Sequence, residues 1–126
     1  MKSYTDLEQS KKLAEILPLE SADMRFCFSH TLEGEIIGHY PMIGREPSLG
    51  TIPCWSLSAL LKQLPYEVCD DYGDSLFLKM DKDSDVYQLT YIDTYGIANK
   101  IYTDRYEHFV DACVAMIEKL HELNLL

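Results

Sequence analysis

Apolar positions recur with a helical period most clearly near the end of the chain. Over Asp104–Leu123 (DRYEHFVDACVAMIEKLHEL), the residues Tyr106, Phe109, Val110, Cys113, Met116, Ile117 and Leu120 fall in one stripe roughly 160° wide, with Glu107, Asp111, Glu118, Lys119 and Glu122 opposite. Asp104 and Glu107 have the spacing of a capping box. Lys119 and His121 stand near the end where the helix dipole favours positive charge. So wide a stripe suits a helix laid on a sheet, whereas a two-stranded coiled-coil seam would be narrower. Two shorter helices are predicted upstream. Thr5–Leu17 begins with capping-box spacing at Thr5 and Glu8, carries a thin stripe of Leu7, Ala14 and Leu17, and stops before Pro18. Ser56–Leu64 has Leu57, Leu60, Leu61 and Leu64 at i, i+3, i+4 and i+7, with Ser56 as its cap and Pro65 as its stop. Trp55 just before that cap and Leu60 within the helix are spaced as a hydrophobic staple, so the sole tryptophan has a structural role.

Between the helices the period changes to two. Met24–His30 alternates Met24, Phe26 and Phe28 with Arg25, Cys27 and Ser29, and Glu33-Gly34 can turn the chain into a second strand, Ile36–Ile43. Gly38 and Pro41 place that strand at a sheet edge. Residues 44–53, with Gly44, Pro47, Gly50 and Pro53, read as a loop. Ser75–Met80 and Val86–Ile92 form a hairpin across Asp81–Asp85; Thr94–Gly96 turns again, and Ile97–Tyr102 is a third strand leading into the last helix. The order α-ββ-α-βββ-α, with short connections, predicts one α+β domain spanning residues 1–126: a mostly antiparallel sheet of about five strands with the long C-terminal helix packed on it.

Composition narrows the function classes. An apolar fraction of 47% and a charged fraction of 25% are ordinary for a folded domain of 126 residues. The N-terminal region carries Asp6, Glu8, Lys11 and Lys12 where a signal peptide needs an apolar run, and no stretch is long enough to span a bilayer, so a cytoplasmic protein without a membrane partner is expected. The four cysteines form no close pair and are expected as thiols, with Cys113 buried. A net charge of −10 argues against direct nucleic-acid binding. Eight acids against two lysines lie between Glu67 and Asp93.

Candidate chemistry is sparse. Asp81-Lys82-Asp83-Ser84-Asp85 begins like a calcium loop, but Val86 stands where a glycine is needed and Ile92 where a glutamate is needed. Cys27 and His30 are spaced as half a zinc site, yet on a strand they point to opposite faces and no second pair completes four ligands. Cys113 lies on the apolar stripe of its helix, His108 and His121 at its polar side or edge, and His121-Glu122 is not the start of an HExxH site because Leu125 holds the final position. No phosphate loop or nucleophile elbow occurs. No catalytic residue, metal ligand or cofactor is assigned. Among nine tyrosines, Tyr87, Tyr91, Tyr95 and Tyr102 fall on or beside the second group of strands, where amphipathic sheet packing is the expected role and a binding face the alternative.

Three stretches, YTDLEQSKKLAEILPLESADM from Tyr4 to Met24, PCWSLSALLKQLP from Pro53 to Pro65 and FVDACVAMIEKLHEL from Phe109 to Leu123, resemble a family of short uncharacterised proteins of Bacteroides-type gut anaerobes, often in phage-like or mobile regions. The resemblance implies a cytoplasmic bacterial or phage protein. It transfers no activity or catalytic residue. The resulting expectation is a small non-enzymatic protein-interaction domain. The alternative is an acidic inhibitor or nucleic-acid mimic acting on a basic host or phage protein, with Asp70, Asp71, Asp74, Asp81, Asp83 and Asp85 as partner contacts in two exposed connections. The apolar tail Leu123-Asn124-Leu125-Leu126 favours a homodimer.

Overall fold

The structure is a computed structural model that describes residues 2–44, 50–94 and 99–126, with only the backbone of residues 99 and 100. The elements run α1 (Leu7–Ala14), a 3-10 turn (Leu19–Ser21), β1 (Met24–His30), β2 (Ile36–Ile43), β3 (Ile52–Cys54), α2 (Leu57–Gln63), β4 (Glu67–Cys69), β5 (Ser75–Asp83), β6 (Val86–Ile92), β7 (Asn99–Tyr102) and α3 (Phe109–Glu122). The class is α+β, as expected, and α3 packs on a sheet. The described strands form two antiparallel sheets rather than one: a three-stranded sheet ordered β2-β1-β3 and a four-stranded sheet ordered β4-β5-β6-β7.

Two of these strands lie outside the sequence expectation. Ile52 and Pro53 read as part of a loop in the sequence, yet Ile52–Cys54 pairs with Phe26, Arg25 and Met24 of β1. Glu67–Cys69 pairs with β5 and had no predicted counterpart. Each is three residues long, too short to show alternation, and each is defined by its partner strand. The long edge strand β2 and its neighbour β1 fall where the alternation and Pro41 placed them. Residues 45–49 and 95–98, which include parts of the predicted loop, turn and third strand, lie outside the described residues.

Helix starts differ for identifiable reasons. Asp6, not Thr5, caps α1: its side chain accepts from the Gln9 N–H while the Gln9 side chain accepts from the Asp6 N–H. Thr5 is fully buried, and its hydroxyl is committed to Ser10 at 2.7 Å and to the Trp55 N–H at 3.2 Å. At the C-terminal helix, Asp104 is not the cap. The ladder beyond β7 continues through Thr103, whose N–H donates to Leu89, to Tyr106, which exchanges two backbone hydrogen bonds with Tyr87 at 2.7 and 2.9 Å. Backbone groups used by the sheet cannot close a helical turn, so the cap of α3 is His108, four residues later than the capping pattern suggests. Ser56 caps α2 as expected, accepting from the Ala59 N–H.

The core lies where α3 crosses the four-stranded sheet and meets α2 and α1. Val110, Ala112, Cys113, Val114, Met116, Ile117 and Leu120 are buried, against Leu76, Leu89 and Tyr91 from the sheet and Trp55, Leu60 and Leu13 from the N-terminal half. Val114, beyond the residues of the predicted stripe, is buried as well. The Tyr91 hydroxyl donates to the Pro65 carbonyl at 2.6 Å, giving the buried phenol a partner. The apolar tail ends α3 in a Schellman motif. Asn124 takes φ +58°, its N–H donates to His121, and the Leu125 N–H donates back to Leu120. Leu125 thereby folds onto the core, while Leu123 and Leu126 stay exposed.

Leu120→Ala removes a fully buried side chain beneath the sheet and should destabilise the protein by about 2–5 kcal/mol. Glu118→Ala, on the outer face, should change stability by less than about 0.5 kcal/mol. Equal losses in urea titrations of the two variants would mean that α3 buries a different face.

Candidate interaction surfaces

Reactive side chains are mostly tied into the scaffold. Cys54 is buried and hydrogen-bonded to Thr5, and burial pushes its thiol above the ordinary range. Cys113 lies at the centre of the α3 interface, where burial pushes its thiol up to about 12. Both are held as neutral thiols, the wrong state for a nucleophile. Cys27 faces Tyr40 across the β1–β2 ladder, and His30 sits at the bulged end of β1 beside Ile36. Among the described residues, no three His, Cys, Asp or Glu side chains converge as metal ligands. His108 holds the N-cap position of α3 without a side-chain bond to it. His121 is exposed on a shallow cleft of about 380 Å³ between α1 and α3, beside Lys12, Glu15 and Glu118.

One charged cluster joins the N-terminus to α3. The Lys2 ammonium donates to Asp111 at 2.6 Å and to Asp6 at 3.1 Å, and the Gln9 amide donates to the same Asp111 oxygen at 2.8 Å. Partial burial disfavours the Lys2 charge, but the bonds to Asp111 and Asp6 outweigh it and raise the pKa above its usual 10.5. Burial likewise works against the Asp6 carboxylate, and the Gln9 N–H and Lys2 outweigh it to hold Asp6 below its usual 3.8. The arrangement clamps α1 to α3.

The six acids named as partner contacts separate into two groups. Asp70, Asp71 and Asp74 occupy the β4–β5 connection. There the Asp70 carboxylate accepts from the N–H groups of Tyr72 and Asp74 at 3.0 and 2.8 Å, an Asx-turn that organises the loop around Gly73 at φ +82°. Asp81 and Asp83 are not in a connection, as expected from sequence, but on β5, opposite Gln88 and Val86. The hairpin closes with only Ser84 and Asp85, Ser84 taking φ +55°. That two-residue turn is tight enough for the ladder to run to Asp83 and Val86. Asp81 pairs with Lys79 at 3.6 Å, and Asp81 and Asp83 line a cleft of about 340 Å³ that also takes in Lys82 and Arg105. Six strand residues, roughly 20 Å, lie between the two acidic groups.

The sequence matches no protein-family model, no curated protein and no solved structure.

The feature that sequence reading missed is the outer half of the β1–β2 hairpin. Its turn is closed by Thr31, whose N–H donates to Glu35 and whose hydroxyl accepts from the Glu35 N–H, with Gly34 at φ +89°. Leu32 at the tip is fully exposed. Along β2, Ile36, Ile37 and Ile43 are 63%, 67% and 86% exposed, and Tyr40 and Met42 are also open to solvent. No residue of β2 is buried. In β1 only Phe26 is, held edge-on to His39 at 5.4 Å and to Tyr4 at 6.3 Å. Scattered exposed apolar side chains are normal, but six within twelve residues form a patch. Its signal in the sequence was a run, IIGHYPMI, without a single charge. On the other sheet Tyr91 is buried, Tyr87 stacks edge-on with Phe109 at 5.1 Å, and Tyr102 lies under the Lys119 ammonium, while Tyr66 and Tyr72 at either end of β4 are exposed singly. Tyr95 lies outside the described residues. No described helix is long and apolar enough to cross a membrane.

Replacing Asp81, Asp83 and Asp85 with Asn should leave stability within about 0.5 kcal/mol of wild type. Asp70→Ala should cost roughly 1 kcal/mol, because two backbone N–H groups lose their acceptor; equal stability of Asp70→Ala and wild type in a urea titration would remove the Asx-turn from the account. Because Asp6 is lowered, its contribution is present above pH 3.8 and lost as pH falls through its folded value. Because Lys2 is raised, its contribution is present below pH 10.5 and lost as pH rises through its folded value. An NMR titration of the Asp6 carboxyl should move toward the ordinary range in Lys2→Met; no movement would mean that the helix cap alone holds it.

Proposed function

We propose that this chain is a small cytoplasmic protein-interaction domain without catalytic activity, and that it makes contact through the β1–β2 hairpin. The observation that carries this reading is the apolar patch of Leu32, Ile36, Ile37, Tyr40, Met42 and Ile43 on a strand that contributes nothing to the core. Exposing that much apolar surface costs solubility and stabilises no part of the fold, which is the signature of a surface kept for a partner. The thiols of Cys54 and Cys113, the groups closest to catalytic chemistry, already have a structural account.

The acidic-inhibitor reading has weaker support. A mimic of nucleic acid needs carboxylates along one continuous face. Here Asp70 is engaged by its own loop, Asp81 is paired with Lys79, and the two groups stand at opposite ends of β5. At such a distance they act almost independently at physiological salt.

The two readings separate in one experiment. Ile36→Lys/Ile43→Lys and the Asp81, Asp83 and Asp85 to Asn triple variant should both keep the wild-type circular dichroism. A protein captured by wild type from the native cell and identified by mass spectrometry should be lost from the isoleucine variant and retained by the aspartate variant. The reverse pattern, with binding that falls steeply as salt is added, would assign the function to the acidic groups instead.

A further inference from the structure

We draw no further inference here: the strongest candidate, the exposed apolar edge of β2 on the three-stranded sheet, belongs to the surface already described, and nothing in the structure shows what covers it.

Discussion

The buried junction between Thr5 and Trp55 holds the N-terminal half of the molecule together. The Thr5 N–H donates to the Trp55 carbonyl at 2.9 Å, the Trp55 N–H donates back to the Thr5 hydroxyl, and that hydroxyl also meets Ser10 of α1. The indole N–H donates to Ser21 in the 3-10 turn at 2.9 Å, and Asp23, two residues further on, accepts both the N–H and the hydroxyl of Ser56. The first residues, α1, the 3-10 turn, β3 and α2 thus share one network around a fully buried tryptophan. A buried polar network rigidifies only when each member finds a partner; here the loss of one hydroxyl would strand a backbone N–H beneath the indole.

With α1 and α2 fixed by that junction, α3 has a shaped surface to cross. It spans the four-stranded sheet on one side and meets the two shorter helices on the other, so the core is continuous from Leu13 to Leu120. The Lys2–Asp111–Gln9 cluster closes the outer margin between α1 and α3. Thr90, at the centre of β6, has a buried hydroxyl with no hydrogen-bond partner among the described residues.

The same arrangement explains why β2 is left outside. The three-stranded sheet reaches the core through Cys54 at the end of β3 and through its connection to Trp55, not through its outer strand. Nothing in the described fold needs the isoleucines of β2, and the acidic turns lie on the other sheet. Apolar exposure is greatest along β2, a strand without charged residues in a chain of high net charge.

Long periodic segments announced themselves in the residues alone. The stripe of α3, the leucines of α2 with Ser56 as cap, β1, β2 and the β5–β6 hairpin depend on local period and local capping, and the chain carries that information residue by residue. The α+β class followed from their order. The candidate contact edge was visible only as an uncharged run, because an apolar strand looks the same whether its side chains face a core or water. Tertiary structure decided what depends on residues distant in sequence. The three-residue strands β3 and β4 exist because β1 and β5 supply their hydrogen bonds. Thr5 lost the cap of α1 to Asp6 because Trp55, fifty positions on, claimed its hydroxyl. The start of α3 moved past Asp104 because Tyr87 held the backbone of Tyr106 in a sheet. Each is a competition for the same donor or acceptor between a near neighbour and a distant one, and only the folded chain sets the distant one within reach.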